Sequence, residues 1–202
     1  MDVIDRIRRK AADKLKTIVV PEYNDERTLE ASRIIEKEGI ARALILSEDK
    51  IVKQDKERYI EEFYKLHKAK MPDINEVKKI FADPLYYAAM MVREGKADGF
   101  VAGALHTTPD VGRAAIRCLG VEERIGVACS CFIMAVPDCE YGAAGTFVFA
   151  DCGIIPEPNP RQLACIALHS SELAAKVLGL EPRVALLSYS TKGSAKGKNI
   201  DK

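Results

Sequence analysis

Residues 97 to 113 read Ala-Asp-Gly-Phe-Val-Ala-Gly-Ala-Leu-His-Thr-Thr-Pro-Asp-Val-Gly-Arg, an apolar run that delivers a hydroxyl-rich loop onto the start of a helix. Phe100 to Leu105 are small or β-prone residues, and a run this short fits a fully buried parallel strand. Thr108 suits the N-cap. Pro109 suits the first helical position, where its missing N–H costs nothing, and Asp110 suits the positive end of the helix dipole. The N–H groups of the first turn, the hydroxyls of Thr107 and Thr108, and a bidentate guanidinium from Arg113 one turn further on together make an anion site. A capped helix that binds nothing shows the same local pattern, so the rest of the chain has to decide between the two.

Working upstream, Asp83 and Pro84 open a helix that buries Leu85, Ala88, Ala89 and Val92 and stops at Gly95. Before it, Tyr59, Phe63, Tyr64 and Leu66 share one face of a Lys- and Glu-rich helix through Lys68. Ala41 to Leu46 and Thr17 to Pro21 read as strands, separated by a helix that starts at Asn24 or Asp25 and ends at Gly39; a further helix opens the chain. Strands alternating with helices predict a parallel sheet. Downstream of Gly120 the character changes. Arg124 to Val136 and Thr146 to Asp151 flank a turn-rich segment and predict an antiparallel hairpin, so a second domain is expected to begin near residue 122, giving domains 1–122 and 123–202. A helix from about Arg161 to Leu178 with Leu163, Ile166, Ala167, Leu173 and Ala174 inward, then a strand Arg183 to Tyr189, lead to a loop of Ser190, Thr191, Lys192, Ser194 and Lys196.

Thirty-one basic residues against thirty acidic ones leave a net charge of +1 in 202 residues, so there is no basic surplus for nucleic acid and no polybasic tail for a membrane. The N-terminus lacks a signal-peptide core and no apolar run approaches a membrane span, which predicts a cytoplasmic protein. Any anion site must therefore be local. The terminal loop lacks the Walker A spacing, and no strand is followed by G-x-G-x-x-G, so nucleotide hydrolysis and standard dinucleotide binding are disfavoured. Six cysteines show no C-x-x-C pair and no zinc spacing, and are expected to be reduced and mostly buried; no metal site is predicted. His67 is expected at the surface and His169 in packing. His106 differs, standing at the carboxyl end of a strand, where α/β sheets place ligands; it either donates to a substrate oxygen or has a helix-capping or packing role. Asp151 either orients a ligand or ends its strand.

Residues 98–113, together with Val-Pro-Asp-Cys-Glu-Tyr-Gly (136–142), Phe-Val-Phe-Ala-Asp-Cys-Gly (147–153) and Leu-Ser-Tyr-Ser-Thr-Lys-Gly-Ser-Ala-Lys (187–196), resemble phosphate acetyltransferases, and more loosely phosphate butyryltransferases. Pro21-Glu22 with Asp25 and Arg27 fits that family's first loop. The resemblance implies a two-domain, three-layer α/β/α fold with mostly parallel sheets, like isocitrate and isopropylmalate dehydrogenases, with the second domain incomplete. It implies reversible acetyl transfer between coenzyme A and inorganic phosphate, with CoA as substrate, no cofactor, and acetyl-CoA, acetyl phosphate and phosphate as partners in a homodimer when full length. Thr108 and Arg113 match family residues at the substrate site, with Thr107, Ser190, Thr191, Lys192, Ser194 and Lys196 as further phosphate or CoA contacts and His106, Asp151 and Tyr141 as additional candidates. Two departures stand out. His67 takes the place of an arginine common in the family. Members also continue past the Gly-Ser-Ala-Lys loop into a part that supplies a Ser-Arg pair and an aspartate base, so the chain is expected to be truncated or split and to hold no catalytic residue of its own.

Overall fold

The computed structural model describes residues 3–121, 126–188, 190, 191, 193–198 and 200. The chain divides into two units, Arg8–Gly120 and Val121–Lys202 together with Met1–Ile7, and the opening helix α1 (Val3–Ala12) spans the first junction.

In the Arg8–Gly120 unit, β1 (Thr17–Val20) is the central strand of a parallel sheet, flanked by β2 (Arg42–Ile45) and β3 (Gly99–Phe100) in the order β2-β1-β3. Val19 faces Leu44 in one ladder and Phe100 in the other, so the loops that leave β1 and β3 emerge side by side at the carboxyl edge. Helix α2 (Glu26–Lys37) is capped by Asp25, whose carboxylate accepts from the Arg27 N–H, and Gly39 follows with φ +64°, a left-handed conformation that glycine adopts without strain. Helices α3 (Lys53–His67), α4 (Ile74–Ile80) and α5 (Pro84–Arg93) supply the core. Phe63 is fully buried and meets Phe81 and Tyr86 edge-on at 5.5 and 5.9 Å. On α3, Tyr59 and Phe63 face inward as expected but Leu66 does not. His67, four residues beyond Phe63, takes the inner position with its ring 4.4 Å from the Phe63 ring and its Nε2 2.9 Å from the Arg117 carbonyl oxygen. The expected surface histidine is half-buried and ties α3 to the end of α6 (Thr108–Leu119).

The strand expected over Phe100–Leu105 stops at Phe100. The Val101 N–H still donates to the Val19 carbonyl, but Val101 and Leu105 are exposed and Gly103 takes φ +129°, because the N–H groups of Gly103 to His106 turn away from the sheet toward a side chain described below.

In the other unit, β4 (Cys131–Ala135) and β5 (Thr146–Ala150) form the expected antiparallel hairpin, with Phe132 opposite Phe149 and Met134 opposite Phe147; the first strand is shorter than the expected 124–136, with no strand over 126–130 and Arg124 outside the described residues. One face packs on α7 (Pro160–Lys176), which begins with a reciprocal Asn159–Gln162 capping box. The predicted strand over 183–189 is absent among the described residues; 181–188 pair with no other strand, and Leu187 is 85% exposed. Val184, Leu186 and Leu187 have strand-forming side chains, but a ladder also needs a partner, and none lies alongside among the described residues. The cysteines are thiols, as expected, but not mostly buried: Cys118 and Cys165 are buried, Cys152 is exposed and the others are intermediate.

Candidate functional site

The loop between β3 and α6 is built around a carboxylate that comes from 81 residues earlier in the chain. Glu22, just past β1 and only 4% exposed, accepts hydrogen bonds from the backbone N–H groups of Gly103, Ala104, Leu105 and His106 at 2.8–3.0 Å, and His106 Nδ1 lies 2.8 Å from the same carboxylate. Successive N–H groups converging on one point form an anion-binding concavity, and here the protein fills it with its own anion. Burial alone would raise the Glu22 carboxyl, but the N–H groups of Leu105, Ala104 and His106 outweigh it and hold the group down at about 2.

His106 has no free ring nitrogen. Its Nε2 lies 3.2 Å from Asp83 Oδ2, while Asp83 Oδ1 caps α5 by accepting from the Leu85 N–H at 2.9 Å. Burial pulls the imidazole down, yet the Glu22 hydrogen bond and the Asp83 charge prevail and the net shift is upward. An imidazolium that donates from both nitrogens satisfies both carboxylates. Arg27 holds the loop from another side: it is paired with Asp25 at 2.6 Å and donates to the Ala104 carbonyl at 2.9 Å. Beside these groups lies a cleft of about 500 Å³ lined by Glu22, Tyr23, Asn24, Glu48, Lys56, Asp83 and His106 among others.

The entry to α6 differs from the expectation by one residue. Thr107, not Thr108, is the N-cap, in extended conformation, and Thr108 and Pro109 occupy the first two helical positions. The Thr107 hydroxyl does not cap the helix through a backbone N–H; it donates to Asp110 Oδ2 at 2.6 Å, while Asp110 Oδ1 accepts from Arg113 Nη1 at 2.9 Å. The Thr107 hydroxyl and then Arg113 hold the Asp110 carboxyl below its usual range. The Asp110 and Val111 N–H groups close on the Thr107 carbonyl, so the Thr107 and Thr108 N–H groups are those of this turn with no partner among the described residues. Arg113 is half exposed, and its guanidinium spends one N–H donor on Asp110. Thr107, Thr108 and Arg113 thus share one turn, with His106 behind them tied into the Glu22 cluster.

The other candidates lie in the Val121–Lys202 unit. Asp151 is occupied: Ser130 Oγ and the N–H groups of Ser130, Gly153, Ile154 and Ile155 all donate to it. Burial raises its carboxyl, and the Ser130 hydroxyl followed by the loop N–H groups brings it to about 2. These contacts tie the end of β5 to the loop that follows it. Ser190 Oγ donates to the Ala195 carbonyl and accepts from the Ala195 N–H, and Ser194 Oγ accepts from the Thr191 N–H, so these hydroxyls hold their own loop. Lys196 and Tyr141 are exposed, and Lys192 lies outside the described residues. His169 does more than pack, with Nδ1 3.1 Å from Cys129 Sγ. No group of three or more His, Cys, Asp or Glu able to hold a metal occurs among the described residues.

Against this geometry, the comparisons are direct. The family profile described as Phosphate acetyl/butaryl transferase matches residues 2–202. The chain belongs to this family. A phosphate acetyltransferase from Thermoanaerobacterium thermosaccharolyticum is 40% identical over all of this chain and 67% of its own length; one from Acetivibrio thermocellus is 37% identical with the same coverage. Among solved structures, a phosphotransacetylase from Streptococcus pyogenes superposes with a TM-score of 0.84 at 30% identity, covering 98% of this chain and 65% of that one. The chain therefore spans about two thirds of the length of the phosphate acetyl/butaryl transferase relatives it matches. Glu22 and Asp83 were absent from the candidates drawn from sequence. The Pro21-Glu22, Asp25 and Arg27 motif was the available signal, but a partner 81 residues away in the chain leaves no local pattern.

Proposed function

We propose that this chain supplies the phosphate- and CoA-binding part of a phosphate acetyltransferase, acetyl-CoA plus phosphate giving acetyl phosphate plus CoA. A phosphate oxygen attacks the thioester carbonyl, the new C–O bond replaces the C–S bond, and the CoA sulfur leaves with the electron pair and takes up a proton. Such a reaction is governed by holding the two substrates together and by fixed donors at the developing oxyanion, and needs no cofactor. The observation that carries the reading is the cluster at the start of α6. The Thr108 hydroxyl, the N–H groups of Thr107 and Thr108 and a half-exposed guanidinium lie within one helical turn, with Asp110 taking the Thr107 hydroxyl proton and one guanidinium N–H. Thr107, Thr108 and Arg113 are assigned to phosphate, and Ser190, Thr191, Lys192, Ser194 and Lys196 to phosphate or CoA. Because the relatives' names carry acetyl transfer, acetate metabolism in the cytoplasm is the setting, with a homodimer as the working form of the full-length protein. The family description names butaryl transfer as well; one methylene discriminates by about 1–3 kcal/mol, so butyryl-CoA is the competing substrate to assay.

Calorimetric binding of inorganic phosphate and of CoA to the chain, alongside phosphate-dependent release of CoA thiol from acetyl-CoA, tests the reading. Arg113→Ala is expected to weaken phosphate binding about tenfold or more, the worth of a charge-assisted contact. Equal phosphate affinity in the variant, or no phosphate binding by the unaltered chain, refutes it.

A further inference from the structure

The Pro21-Glu22, Asp25 and Arg27 motif has a structural job that the acyl-transfer reading leaves unassigned. Both ends of the motif reach the same four residues of the β3–α6 loop. Glu22 takes the N–H groups of Gly103 to His106, and Arg27, oriented by Asp25, takes the Ala104 carbonyl. Ala104 is gripped through both its N–H and its C=O. The loop has little else to hold it: it lies past the end of the ladder, and Val101 and Leu105 are exposed. Without the clasp, four successive N–H groups would turn to water and Thr107 would enter α6 from many directions.

We propose that Glu22, assisted by Arg27, is the positioning residue of the anion site: it shapes the β3–α6 loop so that Thr107, Thr108 and Arg113 meet phosphate in one arrangement. The clasp also decides where the anion goes. The four N–H groups of Gly103–His106 are already spent on Glu22, so phosphate is left with the next N–H groups along the chain, those of Thr107 and Thr108, where the Arg113 guanidinium offsets the Asp110 carboxylate. His106 completes the unit by joining Glu22 to Asp83 at the start of α5. This inference rests on the assignment of Thr108 and Arg113 to phosphate.

The test uses the 202-residue chain and Glu22→Gln, which keeps the side-chain shape but turns one acceptor oxygen into a donor facing other donors. Three readouts are taken: affinity for inorganic phosphate, amide hydrogen exchange at residues 103–106, and the NMR titration of the His106 imidazole. The expected result is faster exchange confined to the loop, a His106 midpoint that moves down once its Glu22 partner loses charge, and phosphate binding at least about tenfold weaker. Faster exchange with phosphate affinity within twofold of the parent overturns the proposal, as does a loop and a His106 titration that do not change. If Glu22→Gln loses its far-ultraviolet circular dichroism, Arg27→Ala decides, since it leaves the Glu22 carboxylate in place and removes the Ala104 carbonyl contact together with the surface ion pair to Asp25; it must loosen the same four amides and weaken phosphate in the same direction. Failure of the functional reading has a different signature: the parent chain, with a well-protected loop, does not bind phosphate, or Arg113→Ala binds it unchanged.

Discussion

A carboxylate that titrates at about 2 in the fold, against an ordinary value of 4.5, makes Glu22 a source of pH-dependent stability. Its folded value is depressed, so its contribution is complete above about pH 4.5 and drains away as pH falls toward 2. The shift corresponds to about 3 kcal/mol for a side chain this well buried. His106 works in the opposite sense. Its value is raised from 6.5, so its contribution is complete below pH 6.5 and is lost as pH rises through the folded value. Urea midpoints of the parent chain are therefore expected to fall between about pH 4.5 and 3, and those of Glu22→Gln to stay flatter over the same interval. Parallel acid limbs in the two proteins would show that other groups, Asp25 or Asp151, carry the acid sensitivity.

At the level of elements, two glycines with similar backbone angles differ in what surrounds them. Gly39 has φ +64° and open space where a Cβ would stand, whereas a Cβ on Gly145, at φ +80°, would lie 2.1 Å from the Val136 carbonyl oxygen. Gly39→Ala meets only the left-handed penalty of about 1–2 kcal/mol. Gly145→Ala adds a backbone clash at the closed end of the β4–β5 hairpin, where Val136 N–H donates to the Gly145 carbonyl, and is expected to cost more than about 3 kcal/mol or to open the hairpin. Thermal melts of the two variants check the order; an equal loss would contradict it. The contrast also marks what a sequence can disclose. Caps at Asp25 and Asp83, the Gly39 stop and the Thr146–Ala150 strand are legible because their causes lie within a few residues. Phe100–Leu105 is not, since its composition is that of a strand while its N–H groups belong to Glu22, and the α6 cap slipped from Thr108 to Thr107 because either threonine satisfies the local pattern. The candidate site was legible as a loop with hydroxyls and an arginine; the carboxylate at its centre was not.

Across the whole molecule, the apolar residues of the two units are handled differently. In Arg8–Gly120 they converge on one core, where Tyr59, Phe63, Phe81 and Leu85 are almost entirely buried. In the Val121–Lys202 unit Cys165, Ile166 and Leu178 are buried but many of the larger ones surface. Phe132 and Phe149 stand opposite each other on the hairpin face away from the more buried Ile133 and Thr146, both at least half exposed, and Met134 continues that face; Val184, Leu186 and Leu187 are exposed on the segment after α7. Single exposed apolar residues are ordinary, but Phe132, Met134 and Phe149 share one hairpin face and form an apolar patch there. The native chain is therefore expected to enhance the fluorescence of an apolar-surface dye such as anilinonaphthalene sulfonate without any denaturant. Leu186→Ser with Leu187→Ser is expected to cut that enhancement and leave circular dichroism unchanged, because neither residue contributes to a core. Phe63→Ala is the contrasting control: it removes a fully buried ring at a cost of about 3–5 kcal/mol, so it should raise dye binding only as the fold loosens, with the thermal midpoint falling in step. If the double serine variant binds dye as strongly as the parent while Phe132→Ser binds less, the hairpin face is the dye's site; if neither variant changes it, the exposed apolar surface in this unit is not what the dye reads.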